Sequence, residues 1–122
     1  MKKFNLSIIA ATVIFVLGVA DLSAQTRIKF TVGKDATIVS GTLGSRGTKN
    51  SVKKFLVRAN AGQHLSVVVK SSNKNVFTNM TRETGERGAD MYYALDATGD
   101  YEFIVENVGT RATKFTMTVL IR

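Results

Sequence analysis

The stretch KFTMTVLIR, residues 114–122, decides the fold class of this sequence. Apolar residues occupy every second position in it, at Phe115, Met117, Val119 and Ile121. Successive side chains of a β-strand point to opposite faces of the sheet, so these four share one face. The stretch therefore predicts a strand with one face in a hydrophobic core and the other face in solvent.

The same period of two recurs between clusters of glycine, asparagine, aspartate and serine. It predicts further strands near residues 28–32, 37–43, 52–59, 64–70, 76–80, 90–95 and 100–107. The turn at 60–63 predicts that its two flanking strands form a hairpin. No proline interrupts any of these segments. The pattern predicts an all-β, antiparallel β-sandwich of about seven or eight strands, with a small closed β-barrel as the alternative.

The N-terminus has the features of a signal peptide. Lys2 and Lys3 precede an apolar run over 6–20, and small residues end at Ala24. The run is shorter than the ~20 residues that cross a bilayer as a helix. We therefore expect a signal peptide at 1–24, cleaved after Ala24, and a single domain at 25–122 without a membrane span. An uncleaved anchor is the alternative, and either form predicts a periplasmic or secreted bacterial protein.

Basic residues dominate the middle of the chain. Without Lys2, Lys3 and Asp21 of the predicted signal peptide, the formal charge of +8 becomes +7. No carboxylate lies between Asp35 and Glu83, and eight lysines and arginines fall there. A concentrated positive potential attracts anionic partners, which makes an anionic envelope glycan a candidate. A surface that only keeps the protein soluble explains the same charge.

Residue sets that common catalytic sites require are missing from the sequence. His64 is its one histidine, and it has no cysteine. A thiolate zinc site and a disulfide lack members for that reason. A serine nucleophile would need His64 to be oriented by an acid, and no acid follows His64 in the sequence before Glu83. The turn 96–100 carries two aspartates but not the ligand spacing of a calcium loop. We therefore expect no enzymatic activity, no metal and no cofactor.

Nucleic-acid binding is not expected either. Proteins that bind single strands place exposed aromatic rings among their cations. Phe55 and Phe77 are the only aromatic residues between Arg46 and Arg82, and Phe55 belongs to a predicted core face. The predicted export of the chain also separates it from nucleic acid.

Two segments of the mature chain resemble a known family. Residues 55–67, FLVRANAGQHLSV, carry a strand, an Ala-x-x-Gly-Gln turn and a second strand, and residues 97–105, ATGDYEFIV, carry a Gly-Asp-Tyr turn. With the last strand at 115–122, they resemble the periplasmic inhibitors of goose-type lysozyme and the bacterial prepeptidase C-terminal-like sandwich domains. The resemblance implies a non-enzymatic β-sandwich that blocks a muramidase by placing loops in its cleft.

In the family that the chain resembles, a loop after the second strand and a loop before the last strand carry inhibition. Here the first loop contains Arg46 and Lys49, and the second, 108–112, contains Arg111. Arginine pairs with a carboxylate in two places, so these cations are the candidate partner-binding residues. Three solvated loop cations without a partner are the alternative for each of them. The alternative function is an envelope sandwich that binds an anionic glycan or another envelope component.

The number of strands between the two loops decides whether they can lie at the same end of the sandwich. The two loops can lie at the same end of the sandwich only if residues 76–80 do not cross the sheet. The sequence leaves the oligomeric state open, although a long exposed edge, such as the last strand, offers pairing to a second copy.

Overall fold

The computed structural model describes residues 25–81 and 88–122 of the chain. The predicted signal peptide and its cleavage site lie outside these residues. The described part forms eight strands: β1 (Gln25–Arg27), β2 (Ala36–Leu43), β3 (Val52–Ala59), β4 (His64–Ser71), β5 (Val76–Met80), β6 (Asp90–Ala94), β7 (Gly99–Asn107) and β8 (Thr113–Ile121). One turn of 3-10 helix, Lys49–Ser51, precedes β3. No helix of this part has the length and apolar character needed to cross a membrane.

The strands form two open four-stranded sheets. The first sheet has the order β1-β3-β7-β5, and the second has the order β2-β8-β4-β6. All neighbours are antiparallel except β1 and β3, which are parallel. The predicted β-sandwich is confirmed, and the alternative of a closed barrel is wrong because each sheet keeps two edges. The last strand, β8, lies inside the second sheet, so its expected role as an exposed edge is also wrong.

Consecutive strands of the described chain always lie in different sheets. The predicted hairpin of β3 and β4 is therefore wrong: the turn at 60–63 exists, but it carries the chain from one sheet to the other. Gly62 in this turn has a left-handed φ of +90°, and Gln63 N donates to Asn60 O at 3.1 Å.

 Alternating strands around a tight turn are the local pattern of a hairpin and of a crossing between sheets alike, so this pattern alone does not distinguish the two.

The core lies between the two inner faces. Its largest fully buried side chains include Phe103, Leu43, Leu65 and Met117. The four apolar residues of β8 that define its predicted core face are all buried, as predicted. Phe55 and Phe103 stack across β3 and β7 with ring centroids 5.6 Å apart. Both sheets are thus fixed against each other by one apolar layer, which leaves the loops at the two ends of the sandwich in solvent.

The first strand differs from the prediction. Ile28 is buried at 6% exposure and its N–H donates to Leu56 O at 2.8 Å, but Val32 is 98% exposed. The regular strand is β1, at 25–27, and the predicted segment 28–32 belongs to the connection between the first and the second sheet. Because this connection must leave one sheet to reach the other, its apolar alternation does not produce a strand.

Candidate binding site

Three loops meet at one end of the sandwich. They are residues 44–51 between β2 and β3, 72–75 between β4 and β5, and 108–112 between β7 and β8. The pairings require this placement, since β2, β4 and β7 end where β3, β5 and β8 begin. We call these three loops the basic end, because they contain Arg46, Lys49, Lys74 and Arg111 and no carboxylate.

The condition that the sequence sets on the number of strands between the two loops is wrong, because the two loops lie at the same end although residues 76–80 run across the first sheet as a strand. Residues 76–80 do form a strand, β5, which runs along the first sheet as the neighbour of β7. β5 and β6 run in the same direction, because β5 is antiparallel to β7 and β6 is antiparallel to β4. β6 therefore starts from the same end as β5, and the loops before β3 and β8 remain together.

Asn107 joins all three loops of the basic end. It is the last residue of β7 and is fully buried. Its Nδ2 donates to Gly44 O at 2.9 Å and to Arg111 O at 2.8 Å. Its Oδ1 accepts from Gly109 N at 2.9 Å and from Asn73 Nδ2 at 3.1 Å. One amide thus uses both its donors and its acceptor on the three loops, as a buried polar group must.

Backbone hydrogen bonds add to this network. Arg46 N donates to Gly109 O at 2.8 Å, and Val108 N donates to Asn75 O at 2.9 Å. Gly109 is needed at the centre, since a Cβ atom there would lie 2.7 Å from Asn73 Nδ2. The close approach of these backbones fixes the positions from which the loop side chains project into solvent.

The structure brings the predicted cations Arg46, Lys49 and Arg111 to the same end, on two loops that are directly hydrogen-bonded. All three side chains are exposed. Within residues 25–81 and 88–122, none of them forms an ion pair with a carboxylate. A solvated cation without an intramolecular partner retains its full charge for a ligand.

Lys74 is a fourth cation of the basic end that the sequence analysis did not select. It is exposed, and it is the one non-glycine residue with positive φ in the described chain, at 60°. A left-handed conformation costs a residue with a side chain about 1–2 kcal/mol, and such costs collect at functional sites. The surrounding asparagines hold this loop, because Asn75 N donates to Asn73 Oδ1 at 2.9 Å.

Asn107 was missed for a different reason. The apolar residues Tyr101, Phe103 and Val105 alternate along β7, and Asn107 continues their phase on the core face. A polar residue at a core position must find hydrogen-bond partners, which is a signal of an organising role. Residues 71–75 lie between two predicted strands, and nothing in the sequence links them with residues 108–112.

The opposite end of the sandwich has a different character. We call it the balanced end: residues 28–35, 60–63 and 95–98, which carry two lysines and two aspartates. Beside it, Arg27 donates to both carboxylate oxygens of Asp100 at 3.1 and 3.0 Å, and Arg122 Nε lies 3.3 Å from Asp35 Oδ2. The hydrogen bonds from Arg27 lower the pKa of Asp100 below its ordinary value.

A groove of about 440 Å³ also lies near the balanced end. Tyr93, Tyr101 and Asp96 line it. The two hydroxyls are already used, by Asn79 Oδ1 and by Ala97 O. His64 stacks on Tyr92, with ring centroids 5.4 Å apart. No group of three metal-binding side chains occurs in the described part of the chain.

Comparison with solved structures finds similar proteins that are periplasmic inhibitors. PliG of Aeromonas hydrophila, a periplasmic lysozyme inhibitor of g-type lysozyme, aligns with a TM-score of 0.61 and 17% identity over 80% of this chain and 96% of its own. PliG of Salmonella Typhimurium aligns with a TM-score of 0.59 and 19% identity over 80% of this chain and 97% of its own. A mutant of the Escherichia coli PliG has a TM-score of 0.58, with the same identity and coverage.

Similarity at this level of identity shows the fold. No family model matches the sequence, and no curated protein matches it either. The resemblance noted from residues 55–67 and 97–105 thus agrees with the fold of the PliG structures, while the resemblance to prepeptidase C-terminal-like domains stays a prediction.

Proposed function

We propose that this protein is a non-enzymatic, periplasmic binding protein that inhibits g-type lysozyme. The observation that carries the proposal is the basic end of a sandwich similar to that of PliG. Its three loops are hydrogen-bonded to each other, and they contain four cationic side chains and no carboxylate. The fold alone does not specify a partner. The loops supply the chemistry that an acidic cleft would recognise.

The proposed mechanism is occlusion of the muramidase cleft. Glycoside hydrolases act through carboxylic side chains in the substrate cleft. Arg46 and Arg111 offer planar guanidinium groups that bind a carboxylate through two parallel hydrogen bonds. Lys49 and Lys74 extend the positive surface on either side. When the basic end occupies the cleft, the glycan chain is excluded from it, and the inhibitor itself undergoes no reaction.

Buried Asn107 supports this mechanism by ordering the loops before contact. A binding surface that is already in shape loses less conformational entropy on association than a flexible one. The predicted signal peptide places the protein in the periplasm, where a lysozyme that enters the envelope would meet it.

The test is inhibition of cell-wall lysis by a panel of g-type, c-type and i-type lysozymes. We expect suppression of the g-type enzyme at roughly equimolar inhibitor. The double variant Arg46→Ala with Arg111→Ala should weaken inhibition by at least about 100-fold, because charged contacts at a buried interface contribute about 1.5–3 kcal/mol each. Lys74→Ala should weaken it by a smaller factor.

A matched control removes the same charge from the balanced end. Lys29→Ala with Lys34→Ala changes two exposed lysines and should leave inhibition unchanged. If the native protein leaves the g-type enzyme fully active at a large molar excess, the proposed function is wrong. Binding to anionic glycan with steep salt dependence, in the absence of inhibition, would support the alternative envelope function instead.

A further inference from the structure

The four edge strands of the two sheets are protected to different degrees. β1 has three residues, β6 has five and begins with Asp90, and Thr78 of β5 is bridged by Gly88. β2 has eight residues, ATIVSGTL, without a charge or a proline, and it pairs with β8 without a bulge. Natural sheets guard their edges with charges, prolines, bulges or covering segments, so β2 is an unusually open edge.

The backbone of β2 offers a regular row of hydrogen-bonding groups. Ile121 N donates to Asp35 O at 2.8 Å, so Asp35 and every second residue after it face β8. The residues between them direct their N–H and C=O groups away from the sheet: Ala36, Ile38, Ser40 and Thr42. Within the described residues, no hydrogen bond is formed by these outward backbone groups. Their side chains are exposed, and Ile38 is 68% exposed.

We propose that β2 pairs with β2 of a second copy, antiparallel and centred on Ile38. A two-fold axis passes through Ile38, so the outward N–H and C=O groups of Ile38 bond to those of Ile38 in the second copy. Ala36 of each copy then lies opposite Ser40 of the other. This register forms about six backbone hydrogen bonds and joins the two second sheets into one continuous sheet. It also covers the exposed Ile38 side chain with the same residue of the other copy.

Charge complementarity selects this register and a second copy as the occupant. Lys53 Nζ lies 3.5 Å from the place that a Cβ atom on Gly41 would take. In the proposed register Gly41 stands opposite Asp35 of the second copy, in a pair whose side chains lie close together. Asp35 is 53% exposed, and Lys53 has no carboxylate partner within the described residues. The two-fold axis therefore creates two Lys53–Asp35 contacts.

Opposite strand directions also separate the two basic ends, which point away from each other in the pair. Pairing of one edge buries less than the about 1,200 Å² of total surface that marks standard interfaces, so association should be weak and concentration-dependent. We expect a dissociation constant on the order of 100 µM.

Sedimentation equilibrium of the purified protein between about 1 µM and 1 mM tests the proposal. Ile38→Lys should abolish the dimer, whereas Thr118→Lys, on the same exposed face but inside the sheet, should leave it intact. Asp35→Lys and Lys53→Asp should each raise the dissociation constant roughly tenfold. The double variant carrying both reversals should dimerise more tightly than either single variant, although Asp35→Lys also removes the ion pair with Arg122.

A native protein that remains monomeric to about 1 mM overturns the proposal and leaves the edge to a strand of another protein. Failure of the double reversal to restore dimerisation overturns the register. Circular dichroism of each variant separates loss of pairing from loss of fold. Inhibition of lysozyme by the Ile38→Lys variant is expected to be native, since the basic end lies outside the proposed contact.

Discussion

The two ends of this sandwich order their loops, and use their charged side chains, in different ways. At the balanced end, the ion pairs are exposed and the loops contact each other through backbone groups, as where Gly62 N donates to Leu95 O and Leu95 N donates to Gln63 O, both at 2.8 Å. At the basic end, one buried amide adds to the backbone hydrogen bonds between three loops, and within the described residues the cations form no ion pair. The difference shows that loop order and surface charge are separable: the basic end obtains its order from Asn107 and keeps its charges for a ligand.

Asn107→Asp should have the largest effect. The substitution keeps the shape but sets a carboxylate oxygen against the carbonyls of Gly44 and Arg111, so we expect a loss of about 3 kcal/mol in the free energy of unfolding. Urea denaturation measures it. Thr98→Val at the balanced end removes one exposed acceptor, for Ala61 N at 2.9 Å, and should cost less than about 1 kcal/mol. Equal losses at the two ends would contradict the role assigned to Asn107.

Gly109→Ala should come second. Its Cβ atom would lie 2.7 Å from Asn73 Nδ2 and 3.1 Å from Asn107 Oδ1, so these two amides must shift and weaken their hydrogen bonds, at a cost of about 2 kcal/mol. Gly99→Ala, where no atom lies within 4 Å of the added carbon, is the matched change at the balanced end and should stay within about 0.5 kcal/mol. Thermal unfolding of both variants checks the order, and a native melting temperature for Gly109→Ala would refute the close approach.

Lys74→Gly should stabilise the fold while weakening inhibition. Glycine adopts the left-handed conformation at 60° without strain, so we expect a gain of about 0.5 kcal/mol. The balanced end uses glycine at such a position, and Gly62→Ala there should lose about 1 kcal/mol. Unfolding and inhibition assays on the same preparations test whether stability rises while inhibition falls. A destabilised Lys74→Gly protein would mean that the lysine side chain supports the fold.

Asp100→Asn should have the smallest effect and the clearest pH dependence. The pKa of Asp100 is lowered in the folded protein, so its stabilising contribution is present above its unfolded pKa and is lost as the pH falls through the folded pKa. The deficit of the variant relative to the native protein should therefore be constant near neutral pH and shrink below about pH 4. Arg46→Gln should show no such change. A deficit that persists in acid would refute the ion-pair assignment.

The sequence predicts the positions of the strands in this chain better than it predicts which strands pair with each other. The limits of β3 and β8 follow from alternation, because each buries one continuous apolar face. Their places in the two sheets do not follow, since the turn at 60–63 serves a hairpin and a crossing equally. At the site, Arg46, Lys49 and Arg111 could be selected from charge and loop position. Asn107 and Lys74 could not, because their roles depend on contacts between loops that are distant in the chain.

The strict alternation of consecutive strands between sheets has a consequence for how the chain is made. No two successive strands can pair into a local unit, and Val39 finds its neighbour only when Met117 has been synthesised. Folding of such long-range topologies is slow, because the loops must close before their contacts form. The second sheet cannot assemble until the last strand of the chain is present, because β2 and β4 both pair with β8.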